Sequence, residues 1–387
     1  MKNFNFYAPT KILFGKNKVN DINKLIPQYG KKVLFAYGGG SIKKSGLYDR
    51  IVKNLELGDI PFVELSGIQP NPRITSVREG VRLCRENNLD FILAVGGGSV
   101  IDCAKAIAAG AAYEGDAWDF MERNAKVSNP LPIGTVLTLS ATGTEMNGNA
   151  VISNEDESDK RPMGDDSLRP VFSVLDPSLT FSVNKFQTAA GTVDIMSHIF
   201  EQYFTPDQGT YLQDEIAESI LRTCIKYGPV ALNEPENYEA RANLMWASSL
   251  ALNGLTVTGK LMGDWSTHDM EHQLSAVNDL THGAGLAILF PNWMEYVLNE
   301  RTVAKFAQMA RNVWEIDDEN DMVAAQKGIQ AVRSFFNDLG MPSKLSEVGF
   351  KKEHIEVMTP KVCKYGPVGT FKRLGPADVE AIYQKAM

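Results

Sequence analysis

The sequence predicts two domains. Residues 1–184 read as an α/β dinucleotide-binding domain, Rossmann-like with a mostly parallel sheet, and residues 185–387 as an all-helical domain. Short apolar runs end in glycines or small polar residues and hand over to helical stretches at "KKVLFAYGGGSIKKSG" (31–46), "LDFILAVGGGSVIDCAKAIAAGAA" (89–112) and "PIGTVLTLSATGTEMN" (132–147). Strands that are apolar on both faces imply a parallel sheet covered by helices on both sides. A further run, "PVFSVLDPS" (170–178), reads as a strand, and beyond it the alternation stops. "AAGTVDIMSHIFEQYF", "YLQDEIAESILRTCIKYG", "ARANLMWASSLALNG" and "DMVAAQKGIQAVRSFFNDLG" all carry helical spacing. No long polar linker separates the halves, so the expectation is that they pack with a cleft between them.

Composition narrows the function classes. The 387 residues are 44% apolar and 22% charged, which is enough to bury more than one core. A net charge of -8 disfavours nucleic acid as a partner, because phosphate binding needs clustered Lys and Arg. The four cysteines are scattered with no C-x-x-C pair, so neither a disulfide framework nor a thiolate zinc site is indicated, and a reducing, cytoplasmic setting is expected. The start, "MKNFNFYAPTKILFG", alternates like a strand and lacks the apolar run of a signal peptide. No stretch approaches the ~18 consecutive apolar residues of a membrane span, so no membrane partner is expected.

The glycine-rich turns suit a nucleotide. "YGGGS" (37–41) and "VGGGSVID" (95–102) each join a strand to a helix, where glycines let backbone N–H groups approach a phosphate. Neither matches G-x-G-x-x-G, and one such turn alone is also what any tight strand-to-helix junction needs. Two in one sheet, with a third at "SATGTE", share the carboxyl end of the strands, where open α/β sheets bind ligands. The first turn has no acid to accept from an adenosine ribose hydroxyl; it offers Gly39, Gly40 and Ser41, with Lys43 and Lys44 nearby. That favours NADP(H) over NAD(H), although the two lysines also suit a solvated helix face.

Three of the five histidines, His268, His272 and His282, fall within "HDMEHQLSAVNDLTH". Asp194 and His198 are four apart, as are His268 and His272, so each pair shares a helix face. His354, in the charged "KKEHIEV", reads as an ordinary surface histidine. Imidazoles with a carboxylate on helices of one domain suit a borderline divalent metal. Which histidines ligate stays open at this point. "HDMEH" also fits H-x-x-E-H, the inverted zinc-hydrolase motif, with His268 and His272 as ligands and Glu271 as base. A nucleotide-binding sensor without chemistry is the nonenzymatic alternative.

Asp194-x₃-His198 and His268-x₁₃-His282, following "GGGSVID" and "TLSATGTEMN", resemble the iron-containing (group III) alcohol dehydrogenases. The resemblance runs from "PTKILFG" (9–15) through "PNP" (70–72) to "GMPSKL" (340–345). "YGGGSIKKSG" and "WSTHDMEHQLSA" look most like the butanol dehydrogenase and NADPH-dependent aldehyde reductase branch; NAD-dependent diol or glycerol dehydrogenases are the alternative within the superfamily. The resemblance implies a dehydroquinate synthase-like two-domain architecture and a metal, Fe²⁺ or Zn²⁺ with Co²⁺ or Mn²⁺ also compatible, held by Asp194, His198, His268 and His282. It makes His272 a noncoordinating histidine beside the reacting carbon; an imidazole's ordinary pKa of ~6.5 suits a proton relay there, and shaping the pocket sterically is the alternative role. Gly38, Gly39, Gly40 and Ser41 would receive the adenosine end of NADP(H), and Gly97, Gly98 and Ser99 the pyrophosphate. Asn71, Asp102, Thr138, Thr142, Asn147 and Lys160 would line the rest of the groove, with Lys160 reaching toward the 2′-phosphate. "SATGTE" departs from the more usual T-x-G-T-G-S-E, which puts individual contacts there in doubt. Family members are often homodimers, and a primary alcohol or aldehyde such as butanol or butanal is the implied substrate.

Overall fold

In the computed structural model, which describes residues 1–387, strands β1 (Lys11–Phe14), β2 (Val33–Gly38), β3 (Phe62–Ile68), β4 (Phe91–Gly96), β5 (Ile133–Leu137) and β8 (Phe172–Leu175) form one sheet. Its order is β1-β8-β5-β4-β2-β3, and every neighbouring pair is parallel. The period of two along each strand sorts the side chains into two cores. Val33, Phe35 and Tyr37 of β2 with Phe91, Leu93 and Val95 of β4 pack against helix α1 (Leu47–Leu57). Leu34, Ala36, Ile92 and Ala94 face the opposite way, onto helices α2 (Ile74–Asn87) and α3 (Gly98–Ala111). This explains why the central strands read as unbroken apolar runs.

Two elements differ from expectation. The small-residue turn after β5 does not lead into a helix. Gly143 adopts a left-handed φ of 59°, one 3₁₀ turn follows at Thr144–Met146, and the chain then forms an antiparallel hairpin, β6 (Asn149–Asn154) and β7 (Asp159–Gly164). The strand-like start of the chain is not a strand before Lys11, and β1 is a short edge partner of β8.

The chain divides into two compact units, Tyr7–Val183 with Pro235–Ser249, and Met1–Phe6 with Asn184–Glu234 and Leu250–Met387. The expected cut at 184 therefore assigns two segments differently. Pro235–Ser249 carries most of a helix that joins the α/β unit, because Met245 enters the core beneath the sheet, Trp246 packs edge-on to Phe14 and the Ser249 hydroxyl donates to the buried Glu145 carboxylate. Residues 1–6 go with the helical unit, where Lys2 N–H donates to the Gly259 carbonyl and its ammonium pairs with Asp207.

The helical unit is built on helix α4 (Lys185–Tyr203), capped by the Asn184 side chain, which accepts from Gln187 N–H. Every residue from Thr188 to Tyr203 is buried, so α4 is a central helix with no solvent face. Helices α5 (Tyr211–Asn233), α6 (Tyr238–Ala251, which spans the boundary), α7 (Ser266–Asn278), α8 (His282–Val297), α9 (Val303–Trp314) and α10 (Asp321–Asp338) follow. No helix is long and apolar enough to cross a membrane.

Candidate metal centre and nucleotide turns

Asp194 and His198 lie one turn apart on α4, and the Asp194 Oδ1 to His198 Nδ1 distance is 3.6 Å. His268, in the first turn of α7, and His282, the first residue of α8, approach the same carboxylate. His282 Nε2 is also 3.6 Å from Asp194 Oδ1. Donor atoms of Asp194, His268 and His282 all fall within 4.8 Å of one another. His198 stands beside them, its ring centroid 4.8 Å from that of His268. Burial, and then the neighbouring His268, push the His198 imidazole well below its ordinary pKa, so it is held neutral as a metal ligand must be.

The donor set fits a metal ion. Ligands ~2.0–2.2 Å from a tetrahedral ion stand about 3.4 Å apart, close to the two 3.6 Å separations at Asp194. His198 Nδ1 is buried and makes no hydrogen bond, a cost that coordination would remove. Two of the imidazoles are also aimed from behind. His268 Nδ1 lies 2.8 Å from Glu201 Oε1, and His282 Nδ1 contacts Glu271 Oε2. Carboxylates on the far nitrogen orient a histidine ligand and fix its tautomer.

His272 sits one turn along α7 from His268, 6% exposed, its ring stacked on His282 with centroids 5.7 Å apart. It is 6.4 Å from the His268 ring at 81°, and it is absent from the group formed by Asp194, His268 and His282. This geometry overturns the hydrolase alternative. Glu271, which that motif needs as a free base, is fully buried and accepts from the Ser275 hydroxyl as well as contacting His282. Donor atoms of Glu271, His272 and His282 also approach within 4.8 Å, but the Glu271 oxygens are already engaged.

In the α/β unit, the turns after β2, β4 and β5 lie at the carboxyl ends of three adjacent strands. Gly38 ends β2, Gly39 and Gly40 make the turn, and Ser41 opens a single helical turn, Ser41–Lys44. Gly97 precedes α3, whose first residues are Gly98 and Ser99. Thr138 N–H donates to the Gly96 carbonyl, joining the second and third turns. A Cβ at Gly98 would come within 2.5 Å of the Thr142 hydroxyl, so only glycine permits this approach. Asn71, at a left-handed φ of 52°, follows β3 and accepts from Lys160 Nζ at 2.8 Å, bringing two of the expected groove residues together.

Asp102 and Asn147 turn inward. The Asp102 carboxylate accepts from the Thr144 hydroxyl and Val151 N–H; Asn147 accepts from Lys105 Nζ and donates to the Gly143 carbonyl. Lys105, which sequence reasoning passed over, is fully buried and also donates to the Thr144 hydroxyl at 2.6 Å and the Asn149 carbonyl at 2.7 Å. Burial brings its pKa down to about 7. Together these residues fix the loop between β5 and β6.

Two family models match the chain, "Iron-containing alcohol dehydrogenase" over residues 9–177 and "Fe-containing alcohol dehydrogenase family, C-terminal" over residues 188–387. The chain belongs to the iron-containing alcohol dehydrogenases. A family member from Clostridium acetobutylicum, an NADH-dependent butanol dehydrogenase A, is 54% identical with both chains covered completely. An NADPH-dependent aldehyde reductase of Escherichia coli is 42% identical, covering 95% of this chain and 94% of its own. The crystal structure of an NADH-dependent butanol dehydrogenase A from Thermotoga maritima superposes with a TM-score of 0.97 at 42% identity, covering 100% of this chain and 99% of that one.

Proposed function

We propose that this alcohol dehydrogenase interconverts a primary alcohol and its aldehyde, of the size of butanol and butanal, with NADP(H) as the preferred hydride carrier. Asp194, His198, His268 and His282 hold one divalent ion, Fe²⁺ or Zn²⁺. The observation that carries the reading is the position of Asp194 Oδ1, 3.6 Å from imidazole nitrogens delivered by two different helices. Held by these four residues, a divalent ion would supply Lewis acidity toward a substrate oxygen, and a bound nicotinamide would supply the hydride chemistry. The chain supplies the rest. Gly97 to Ser99 offer backbone N–H groups at the start of α3 to the pyrophosphate. His272, buried one turn along α7 from His268 and stacked on His282, carries the substrate proton to solvent.

The preference for NADP(H) rests on the first turn. Glu64, on the neighbouring strand β3, has its oxygens engaged by the hydroxyls of Tyr37 (2.5 Å) and Tyr48 (2.7 Å). Lys43 lies over the Tyr48 ring with its Nζ 4.6 Å from the centroid, leaving positive charge beside Gly38 to Ser41. The relatives named above divide between NADH and NADPH. Four free cysteines, three of them buried, suit a reducing compartment such as the cytoplasm, and a homodimer is the expected state from the family resemblance alone.

The test is metal content of protein purified without added metal, with butanal reduction by NADPH and NADH before and after chelation. Near one equivalent of metal, with activity lost on chelation, restored by a divalent ion and faster with NADPH, is expected. Undiminished activity in metal-free protein would refute the assignment of the histidine cluster.

A further inference from the structure

We infer that Glu201 is a positioning residue for the metal centre, fixing the first turn of α7 so that His268 presents Nε2 toward Asp194 and the Trp265 indole closes the side of the cluster formed by His198 and His268. The inference rests on the reading that Asp194, His198, His268 and His282 hold one divalent ion.

Glu201 lies on α4 three residues beyond His198 and is 0% exposed. A carboxylate so deeply buried is costly unless donors surround it. Here they come from one short stretch of chain. Oε1 lies 2.8 Å from His268 Nδ1 and accepts from His268 N–H at 3.0 Å, while Oε2 accepts from Trp265 N–H at 2.6 Å. Thr267 N–H contributes another hydrogen bond. The Glu201 backbone carbonyl accepts from Asp264 N–H at 2.7 Å. One residue thus gathers the backbone of 264–268 and the ring of the histidine within it. An imidazole that donates from Nδ1 carries its lone pair on Nε2, the atom left to face Asp194.

The same clamp holds a strained residue. Trp265 has φ 64°, a left-handed conformation uncommon for a bulky side chain. Such outliers persist where the surroundings over-determine them. Its indole packs edge-on to the His268 ring, with centroids 5.3 Å apart at 70°, and stands 6.3 Å from His198. Gly263 makes room for this: a Cβ there would run into the indole nitrogen and come within 3.0 Å of the Glu201 carbonyl. Asp264 secures the stretch from its other side, accepting from Thr370 and Phe371 N–H at 2.7 Å each.

A purely structural anchor would predict the same hydrogen bonds, so the test must read the metal. Metal-free Glu201→Gln is titrated with Co²⁺ against a competing chelator, beside the parent and Glu218→Gln. Glu218 is an equally buried glutamate of this unit that accepts from Tyr203, Gln308 and Asn312, all outside 264–268. Glu201→Gln should bind Co²⁺ about 10- to 100-fold more weakly with a shifted ligand-field spectrum. Glu218→Gln should keep parent affinity whatever its thermal midpoint. If Glu201→Gln does not fold, Glu201→Asp, one methylene too short to span both partners, carries the same expectation. Trp265→Gly, comfortable at this φ and still donating its N–H, should bind Co²⁺ like the parent while its KM for butanal changes more than its kcat. Parent Co²⁺ affinity in a folded Glu201 variant overturns the inference. Asp194→Asn separates the two levels: if it too binds Co²⁺ like the parent, the metal site itself is wrong, and if only it loses Co²⁺, the positioning role alone falls.

Discussion

His268 and His282 meet Asp194 from separate helices, while His272 faces the same neighbourhood without joining the group. The four-residue spacings on α4 and α7 made the cluster legible, because a helix places i and i+4 on one face. They did not say which of His268 and His272 would approach Asp194; that depends on the rotation of α7, set by Glu201 and by the close approach of α8. Glu201 was passed over, yet it left a signal: a carboxylate in "SHIFEQYF", a stretch otherwise apolar enough to be buried on every side. The residue roles separate experimentally. His268→Ala should lose the metal and nearly all turnover, whereas His272→Ala should retain a full equivalent of metal and turn over about 10²-fold more slowly. Metal analysis beside steady-state kinetics distinguishes them, and a metal-free His272→Ala would make it a ligand. His198 gives a prediction in pH. Its folded pKa lies below the unfolded value of about 6.5, so as pH falls below that value the unfolded chain takes up a proton that the folded chain resists. Metal-free protein should therefore lose stability as pH drops from 7.5 to 5.5, by up to about 1.4 kcal/mol per pH unit from this residue. Urea midpoints should show a shallower loss in His198→Gln; equal slopes would remove His198 as the cause.

At the scale of elements, the proposed metal cluster depends on how closely α8 approaches α4. Gly283, directly after His282, has no room for a side chain, because a Cβ would run into the Ala190 carbonyl of α4. Gly285, one turn segment on, lies against Glu271, whose Cγ would be 2.7 Å from an added Cβ. Gly283→Ala should push α8 away from α4, costing ~1–3 kcal/mol and carrying His282 away from Asp194. Denaturation with metal absent, followed by Co²⁺ titration of the folded fraction, reads both effects; a variant with parent stability and affinity would show that the helices yield. The elements most legible in sequence were those buried on both faces. β2, β4, β5 and β8 read as apolar runs since each is flanked by strands and covered by helices. β3 escaped notice because it is an edge strand with Glu64 and several partly exposed positions, and its sequence "FVELSGI" lacks the unbroken apolar character of its neighbours. The hairpin β6–β7 was missed for a related reason: "NAVISN" and "DKRPMG" are short and mostly polar, so the few side chains that reach the core, Ala150, Ile152 and Met163, make no apolar run, and Lys105 and Asp102 from α3 hold its backbone as well.

For the whole molecule, the sequence placed the boundary near residue 184 but not the return of Pro235–Ser249 to the α/β unit, since that segment has the same helical spacing as its neighbours and differs only in where Met245, Trp246 and Ser249 find partners. Spacing reports the element, and tertiary contact decides its unit. The division makes a prediction about the two ligands. The proposed metal ligands all belong to the helical unit, on α4, α7 and α8, and the proposed dinucleotide contacts named at the turns after β2, β4 and β5 belong to the α/β unit. A ligand that binds only the folded form stabilises it by RT ln(1 + [L]/Kd), about 2.7 kcal/mol at a hundredfold excess over Kd. That stabilisation slows amide exchange first in the segments whose opening breaks the site. Loading Co²⁺ alone should therefore protect residues 185–203 and 266–297, and NADPH alone should protect residues 38–44, 97–111 and 138–147, as measured by hydrogen exchange with mass analysis of peptides. Protection by Co²⁺ of the glycine-rich turns without protection of α4 and α7 would place the ion away from Asp194. NADPH protection confined to the helical unit would likewise dismiss the three turns as its seat, and with them the argument that the chemistry of the first turn selects the nucleotide.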